Sequence, residues 1–219
     1  MIVCYSANDK YYDLLEVSLK SLLESNKVSK VYILYSNFSN KFINSLKRIT
    51  KGKCEIELIR ISKEKFKDIE VKYLSVETYY RLLLPDLIKE DRAWYLDVDT
   101  LILDSIEKAY HQDLKHMIAA VPKYFQDSIK DKKRILGMRT KMNYFNAGVL
   151  LLDLKSIREL NFFQKVLDWR KKHHGITHSG DQDALNVCLS GQYQELDITY
   201  NVTEEISKII DNPKIVHFT

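Results

Sequence analysis

The sequence predicts an α/β fold, with a mostly parallel sheet covered by helices on both faces, in a single domain over residues 1–219. Strand-like and helical segments alternate through about the first sixty residues, which is typical of a doubly wound fold. A strongly apolar stretch from Ala93 to Leu103 is interrupted by two aspartates. The 219 residues are 45% hydrophobic with only 6 Gly and 3 Pro, which allows one well-buried core and excludes long linkers.

The first half of the chain supplies three strands and two helices. Residues 2–5 are apolar and predict a first strand, and residues 12–25 have the apolar spacing of a helix. Residues 31–35 form a continuous apolar run, typical of a parallel strand that is covered on both faces. Ser39 is the expected N-cap of a second helix, and residues 56–61 predict a third strand. Ligands of such folds bind at the carboxyl ends of the strands, so the polar turn after the first strand is expected to face a ligand.

Two aspartates, Asp97 and Asp99, follow the apolar strand that ends at Leu96. Strand spacing directs both side chains to one side and the intervening Val98 to the other. Two ionised carboxylates this close repel each other unless a positive charge lies between them. A hard divalent cation, Mg²⁺ or Mn²⁺, takes such oxygen ligands and leaves positions open for phosphate oxygens. The alternative is that both aspartates are solvated turn residues without a function.

A helix is predicted over residues 75–84, with Glu77 and Arg81 four residues apart. Arg81 either pairs with Glu77 along this helix or points towards the acidic cluster. A further strand is predicted over residues 117–121.

Residues 145–153 predict another buried strand, whose beginning carries Asn146 and Gly148. A glycine there lets the backbone approach a ligand closely. The apolar residues between Ile157 and Leu167 then predict one helix.

Two further segments carry polar residues with competing interpretations. Ser179 and Gln182 have the spacing of a capping box, and Asp181 suits a first helical turn, so this segment can be a helix start alone. Residues 215–219 predict a short strand that carries His217. His217 is the best metal candidate among the six histidines, and a buried structural histidine is the alternative.

A basic segment extends from Lys123 to Lys141, with seven basic and two acidic residues in a chain of net charge +4. Such a segment suits an anionic acceptor or an anionic membrane face, and a solvated surface loop is the equal alternative. The sequence shows neither a broad basic face nor a recognition motif, so we expect no nucleic-acid partner.

The three cysteines, Cys4, Cys54 and Cys188, are scattered without metal or redox spacing and predict buried free thiols. Such thiols suit a reducing cytoplasm. The amino terminus lacks a leader pattern, and no apolar run reaches membrane-spanning length. We therefore expect a soluble cytoplasmic protein, with peripheral contact at the inner membrane face as the alternative. The sequence does not indicate an oligomeric state.

Several short motifs, in order along nearly the whole chain, resemble glycosyltransferase family 8. This family comprises retaining transferases that include glycogenin and bacterial lipopolysaccharide galactosyltransferases. The matching motifs are Ser6-Ala7-Asn8-Asp9-Lys10-Tyr11, Val17-Ser18-Leu19-Lys20-Ser21-Leu22-Leu23, Tyr80-Arg81-Leu82, the segment from Trp94 to Thr100, Tyr144-Phe145-Asn146-Ala147-Gly148-Val149, Asp181-Gln182-Asp183-Ala184-Leu185-Asn186 and Val216-His217-Phe218.

The resemblance implies a nucleotide-diphospho-sugar transferase (GT-A type) fold, a UDP-glucose or UDP-galactose donor, and Mn²⁺ or Mg²⁺ on the diphosphate. The acceptor would be a glycan, a glycolipid or a glycoprotein, as in bacterial cell-surface glycan synthesis. By the same resemblance, Asp97, Asp99 and His217 are the metal ligands, and Asn8 and Tyr11 contact the uracil. The implied catalytic residues around the transferred sugar are Arg81, Asn146, Asp181 and Gln182. The implied nucleotide-sugar site comprises Ser6, Ala7, Asn8, Tyr11, Arg81, Asp97, Val98, Asp99, Asn146, Ala147, Asp181 and Gln182.

The sequence departs from the family pattern in two places. Asn8 stands where the family often has Asp. The family's Gly-x-x-Lys-Pro-Trp-like segment, whose lysine contacts the diphosphate, does not follow His217 before Thr219. We therefore expect a domain that lacks the family's usual C-terminal extension.

Charge develops on the departing UDP as the glycosidic bond breaks, and a divalent ion stabilises that charge without proton transfer. No Asp or Glu is placed as a nucleophile for double displacement, and the amide of Gln182 is a poor one. We therefore favour front-face retention, in which the leaving phosphate deprotonates the acceptor hydroxyl. The acceptor is expected to meet the basic segment between Lys123 and Lys141.

Two other functions fit parts of the sequence. Asp97-Val98-Asp99-Thr100 also satisfies the nucleophile motif of a haloacid-dehalogenase-type phosphatase, with Asp97 as nucleophile. That motif normally follows the first strand, whereas here 96 residues precede it. A sugar-nucleotide-binding module without turnover is the second alternative, because the phosphate-contacting lysine is not found.

Overall fold

A seven-stranded sheet with helices on both faces forms the body of the computed structural model, which describes residues 1–69, 75–123, 128–139, 143–173, 175–176 and 179–218. The strands of the first half are β1 (Ile2–Ala7), β2 (Lys30–Tyr35), β3 (Glu55–Arg60), β4 (Arg92–Leu96) and β5 (Thr100–Ile102). The strands of the second half are β6 (Ile118–Pro122), β7 (Phe145–Asp153), β8 (Gln194–Glu195), β9 (Val202–Thr203) and β10 (Ile215–His217). The mostly parallel α/β fold predicted from the sequence is confirmed.

Eight α-helices and several short 3₁₀ helices connect these strands in the described residues. The α-helices are α1 (Tyr12–Ser25), α2 (Asn40–Thr50), α3 (Leu84–Leu87), α4 (Glu107–Tyr110), α5 (Ser128–Ile135), α6 (Leu154–Glu159), α7 (Phe162–Lys172) and α8 (Gly180–Leu189). The 3₁₀ helices are Asp9–Tyr11, Lys63–Phe66, Val76–Leu83 and Ile198–Tyr200. Ser39 caps α2 as predicted, because its side chain accepts a hydrogen bond from the backbone N–H of Phe42.

The strand order of the main sheet is β3-β2-β1-β4-β7-β6-β8. The pairs from β3 to β4 are parallel, and so is β6–β8. Strand β7 runs antiparallel to both of its neighbours, β4 and β6. The beginning of β7 therefore lies beside the carboxyl end of β4, the edge where ligands bind in α/β sheets.

Side chains that alternate along each strand divide the core between the two faces of the main sheet. Val3 and Tyr5 of β1 belong to a cluster with the buried leucines of α1 and α2, whereas Cys4 belongs to the cluster of Val76–Leu83 and the helices α6 to α8. Both faces are thus covered, which explains the continuous apolar runs in the sequence. All three cysteines are free thiols, but only Cys4 is buried; Cys54 and Cys188 are half-buried.

A second, three-stranded sheet in the order β5-β10-β9 was not predicted. Strand β10 pairs antiparallel with β5, and His217 lies opposite Thr100 in the register. The end of the described chain is thereby brought beside the turn that follows β4.

Several predicted element bounds were wrong. Residues 75–84 form a 3₁₀ helix, Val76–Leu83, followed by the short helix α3, rather than one α-helix. The single helix predicted between Ile157 and Leu167 is two helices, α6 and α7, because Asn161 adopts the left-handed conformation with φ 49° and breaks the run. Ser6 and Ala7 extend β1 and do not belong to the turn after it.

Candidate functional site

Asp97 and Asp99 lie in the turn between β4 and β5, directly after the strand that ends at Leu96, as predicted. Backbone hydrogen bonds tie this turn to two other strands. The N–H of Asp97 donates to Gly148 O at 2.7 Å, and the N–H of Phe218 donates to Asp99 O at 2.9 Å. Buried Thr100 adds a hydroxyl that donates to Asp97 O at 2.8 Å. The two carboxylates are therefore held by β7 and β10 as well as by their own turn.

His217 reaches the same place from β10. Its Nε2 lies 3.2 Å from Asp99 Oδ1 and 4.0 Å from Asp97 Oδ2, and the residue is buried. One ligand atom from each of the three side chains lies within 4.8 Å of the others. These three residues were predicted from the sequence as metal ligands, and the fold brings them together.

Their donor atoms fit a divalent cation. Asp99 Oδ1 is buried and accepts no hydrogen bond in the described structure, so an ion would satisfy it. Two carboxylate oxygens suit the hard cation Mg²⁺, and two carboxylate oxygens with one imidazole nitrogen suit the first-row cation Mn²⁺. Asp97 offers only Oδ2, because its Oδ1 already accepts hydrogen bonds from Arg81 and from the Tyr95 hydroxyl at 3.1 and 3.0 Å.

Gly148 makes the close approach of these side chains possible. A Cβ atom on this residue would lie 2.7 Å from Asp97 Oδ2 and 2.8 Å from His217 Nε2. Any side chain would therefore force the two ligands apart. The sequence predicted close approach at Gly148, and the groups that approach it are side chains of this chain.

Arg81 is buried and binds the acidic cluster rather than Glu77. Its guanidinium pairs with Asp97 at 3.1 Å and with Asp181 at 2.9 Å, and it donates to the backbone oxygen of Ala147. Burial alone would lower the pKa of Arg81, but the carboxylates of Asp181 and Asp97 together raise it. Of the two alternatives left open by the sequence, pairing with Glu77 was wrong, since Val76–Leu83 is a 3₁₀ helix with three residues per turn.

Asp181 lies in the first turn of α8 and is 2% exposed. Burial raises the pKa of Asp181 to about 6, although the Arg81 guanidinium opposes that rise. The charge of Arg81 is shared between Asp181 and Asp97, so one cation serves two carboxylates. Asp181 thus closes the site on the side of α8.

The capping box predicted for Ser179 and Gln182 is not formed. Gln182 Oε1 accepts a hydrogen bond from Ala147 N at 2.9 Å, and Gln182 Nε2 donates to the Tyr144 hydroxyl at 3.0 Å. The backbone N–H of Ser179 donates instead to Asp183 Oδ2 at 2.8 Å. Both ends of the Gln182 amide are therefore fixed against β7 and the residue before it, which leaves no end for helix capping.

Asn146 and Ala147 lie near the start of β7, beside these residues. Asn146 is buried, and its Oδ1 accepts from Gly148 N at 2.8 Å, so only its amide nitrogen remains for a ligand in this geometry. Ala147 contributes backbone alone, since its N–H binds Gln182 and its oxygen binds Arg81.

Two adjoining cavities lie at the carboxyl end of β1. One of about 180 Å³ is lined by Ser6, Ala7, Tyr11, Ser75, Glu77, Thr78, Tyr95, Asp97, Val98 and Asp99. The other, of about 390 Å³, is lined by Asn8, Asp9, Lys10, Tyr11, Asn37, Lys63, Ser75, Val76 and Glu77. Tyr11 is 41% exposed and borders both, which suits a ring that stacks on a flat ligand. The two cavities together extend from the Asn8 turn to the aspartates.

Sequence analysis missed several residues of this site. Glu77 is buried between the two cavities and accepts from Ser36 at 2.5 Å. Burial alone would raise the pKa of Glu77, but hydrogen bonds from Ser36 and Ser75 together lower it. Tyr95 and Tyr144, which bind Asp97 and Gln182, belong to motifs of the family resemblance but were given no role of their own. Their spacing gave no signal, because a buried aromatic ring in or beside a strand usually belongs to the core alone.

The basic segment is partly internal. Lys132 of α5 lies 3.0 Å from Asp183, a fully buried carboxylate, and donates to the Ser179 hydroxyl at 2.5 Å. Lys133 is also buried, whereas Arg134 is exposed. Residues 124–127 and 140–142 of this segment lie outside the described residues. The segment is therefore not a uniformly solvated surface.

In the part of the chain that the structure describes, no helix is both long and apolar enough to cross a membrane.

Comparison with known proteins gives consistent results. The chain is 32% identical over 213 residues to a putative glycosyltransferase of Haemophilus influenzae, which covers 93% of this chain and 63% of that protein. It is 25% identical to the lipopolysaccharide 1,2-glucosyltransferase of Escherichia coli, over 99% of this chain and 70% of that protein. The chain therefore spans less than two thirds of the Haemophilus relative.

Its fold matches that of galactosyltransferase LgtC, solved in complex with donor and acceptor sugar analogues. The TM-score is 0.89 at 24% sequence identity, over 100% of this chain and 87% of the other. The seven-stranded sheet with its helices is thus a GT-A glycosyltransferase fold. The model of glycosyl transferase family 8 matches residues 2–219. That match overturns the phosphatase interpretation of Asp97, and the chain belongs to glycosyl transferase family 8.

Proposed function

We propose that this glycosyltransferase moves a hexose, glucose or galactose, from a UDP-sugar to a hydroxyl of a glycan, glycolipid or glycoprotein, with retention of configuration. The observation that carries the proposal is the cluster of Asp97, Asp99 and His217, which borders the cavities at Tyr11 on one side and Arg81 with Asp181 on the other. A divalent ion bound there would stabilise negative charge on the diphosphate of the donor.

Under this proposal, the donor has one direction along the crevice. The uracil would stack on Tyr11 next to Asn8, in the larger cavity, and the diphosphate would meet Asp97 and Asp99 through the ion. The sugar would then lie towards Asn146 and Gln182, where polar side chains from two elements converge. The names of relatives that transfer glucose and galactose support a hexose as the transferred group.

The chain's own residues suit front-face retention. The bond between the anomeric carbon and the phosphate oxygen breaks, the acceptor oxygen bonds to that carbon on the same face, and the acceptor proton passes to the leaving phosphate. Arg81 forms ion pairs with Asp97 and Asp181 and thereby fixes these two carboxylates. An arginine paired in this way does not act as a nucleophile. Gln182 is held by Ala147 N and the Tyr144 hydroxyl, which orients it without activating it.

Asp99→Asn gives the sharpest test of the proposal. Asp97 pairs with the buried Arg81, so replacing it would disturb folding, whereas the Asp99 side chain is 35% exposed and lies beside His217. We expect Asp99→Asn to weaken UDP affinity in Mn²⁺ at least about tenfold, 1.4 kcal/mol, and to leave affinity in EDTA unchanged. Titration calorimetry with UDP, UDP-glucose and UDP-galactose would measure this.

The control is Asp13→Asn, which removes an exposed carboxylate from α1 and should leave affinity unchanged. Equal affinity of wild type and Asp99→Asn in Mn²⁺ would refute the metal assignment. Slow hydrolysis of one UDP-hexose by the wild type would separate a transferase from a binding module without turnover, which binds but releases no sugar.

A further inference from the structure

Asn201 occupies a position between the metal histidine and the sugar site. It follows the 3₁₀ helix Ile198–Tyr200, directly precedes β9, and is 2% exposed. Its Oδ1 lies 3.0 Å from His217 Nδ1, and its Nδ2 lies 3.0 Å from Asn146 Oδ1. These contacts join residues that are 55 and 16 positions away in sequence.

The positions of the oxygen and nitrogen atoms in the Asn201 amide follow from one backbone donor, the N–H of Gly148. The N–H of Gly148 points to Asn146 at 2.8 Å, so the atom of Asn146 that receives it must be its oxygen. That oxygen also faces Asn201, so Asn201 must present its NH₂ group to it. The oxygen of Asn201 then faces His217.

The position of a ring hydrogen of His217 follows in turn. A carbonyl oxygen only accepts, so Nδ1 of His217 carries a hydrogen and donates it to Asn201. In the neutral imidazole that has this hydrogen on Nδ1, the lone pair belongs to Nε2, which lies on the side of Asp99 and Asp97 where the three ligand atoms converge. This is the tautomer that a metal ion requires.

We infer that Asn201 is a positioning residue for the metal site: it fixes the tautomer and the ring orientation of His217 through one hydrogen bond. The inference rests on the proposed function, since it takes His217 as a metal ligand. Outer partners of metal-bound histidines act in this way, and their loss typically lowers metal affinity about 10- to 100-fold. The same amide also fixes Asn146, so one side chain aligns the metal site with the start of β7.

A purely structural role is the competing explanation, because Asn201 also satisfies two buried polar groups. The two roles predict different results for Asn201→Asp. A carboxylate still accepts the Nδ1 hydrogen of His217 but no longer donates to Asn146, and its charge lies against the oxygen of Asn146. We therefore expect Asn201→Asp to lower the free energy of unfolding while it keeps Mn²⁺ affinity within about threefold of wild type.

The test measures Mn²⁺ binding to the protein saturated with UDP, by titration calorimetry, in wild type, Asn201→Leu, Asn201→Asp, His217→Ala and the double variant Asn201→Leu/His217→Ala. Asn201→Leu removes the acceptor at similar side-chain volume, and we expect about a 10- to 100-fold loss of Mn²⁺ affinity. In the His217→Ala background the same change should alter affinity less than about threefold, because the histidine through which it acts is gone. Urea unfolding without metal would be measured for each variant.

The outcomes separate the inference from the proposed function. If His217→Ala binds Mn²⁺ like wild type, the proposed metal site is wrong. If His217→Ala weakens binding but Asn201→Leu does not, the site stands and the role of Asn201 is wrong. Equal losses on adding Asn201→Leu to either background would also overturn it, in favour of a structural role. Asn201→Ala, a smaller change, replaces the leucine variant if that variant does not unfold cooperatively.

Discussion

Gln182 has both ends of its side chain engaged, and the direction of each hydrogen bond is determined. Ala147 N donates to its oxygen, and its nitrogen donates to the Tyr144 hydroxyl. Burial and the neighbouring Asp183 carboxylate raise the pKa of Tyr144 well above its usual range, so that hydroxyl stays protonated and donates to Asp183. The phenolic oxygen is therefore left as an acceptor, and it accepts from Gln182 Nε2.

Gln182→Glu should accordingly destabilise the protein at neutral pH. The introduced carboxylate faces an oxygen that has no hydrogen to give, and a buried unpaired polar group costs about 1–3 kcal/mol. The folded-state pKa of this carboxyl should rise above the value of about 4.3 of a free glutamate. The loss of unfolding free energy should therefore be small near pH 4 and grow as the pH rises through that raised pKa, which urea unfolding at several pH values would measure.

The same substitution should lower transfer at least about tenfold, 1.4 kcal/mol of barrier, because it adds negative charge beside a departing diphosphate. Gln192→Glu, an exposed site just after α8, is the control and should change neither stability nor rate. A Gln182→Glu variant with wild-type stability at neutral pH and wild-type rate would contradict the hydrogen-bond directions and the proposed place of the sugar.

At the scale of single residues, the sequence predicted which side chains assemble and missed what holds them. Asp97, Asp99 and His217 were chosen because charged or imidazole groups after apolar strands are costly without a partner. Tyr144 and Asn201 carry no such signal, since a tyrosine or asparagine near a strand is common without any function. Their roles depend on hydrogen-bond directions, which only the three-dimensional arrangement determines.

At the scale of secondary structure, α5 is attached to the start of α8 through Lys132. This lysine reaches Asp183, whose side chain is 0% exposed, and its ammonium also lies 4.9 Å from the centre of the Tyr144 ring. A buried carboxylate is stable only when it is paired and hydrogen-bonded. The basic segment therefore includes a structural cation besides any that meet an acceptor.

Lys132→Ala should lower the unfolding free energy by roughly 1–3 kcal/mol, since it removes the ammonium that lies 3.0 Å from the buried Asp183 carboxylate. Arg134→Ala is the matched control on the same helix. Arg134 and its partner Asp131 are 78% and 72% exposed, so that change should cost less than about 0.5 kcal/mol. Urea unfolding would measure both, and equal losses in the two variants would show that Lys132 does not stabilise α5.

Element types were predictable from apolar periodicity, whereas strand directions were not. The apolar run of β7 was identified with its observed bounds, Phe145–Asp153. Its antiparallel direction depends on pairing with β4 and β6, which periodicity does not encode. The break between α6 and α7 was missed because Asn161 adopts a positive φ that a stripe of apolar residues does not reveal.

At the scale of the whole molecule, the site joins parts of the chain that are far apart in sequence. Asn8 and Tyr11 follow β1, the aspartates follow β4, Asn146 begins β7, and His217 ends β10. The doubly wound pattern predicted that the first two groups share one edge of the sheet. The small sheet of β5, β10 and β9, which delivers His217, forms by pairing distant segments and gave no local signal.

This arrangement couples ligand binding to global stability. An ion and UDP bound to Asp97, Asp99 and His217 would connect the main sheet to the small one, and an unfolded chain cannot reproduce that geometry. Ligand at about 100 times its Kd stabilises the folded state by about 2.7 kcal/mol. For a chain of this size, that corresponds to a rise in Tm of about 5–11 °C.

We therefore expect Mn²⁺ with UDP to raise the Tm by that amount, and either one alone to raise it less, because each completes the binding of the other. Differential scanning calorimetry of the wild type with Mn²⁺, UDP, both, and both with excess EDTA would measure the shifts. Hydrogen exchange should show added protection at β10, which His217 ends, and at the turn after β4. The shift should shrink in Asp99→Asn and persist in Asp13→Asn. A shift with UDP that survives EDTA unchanged would mean that the nucleotide binds without a metal ion, and that the cluster of two carboxylates and an imidazole serves the fold rather than the donor.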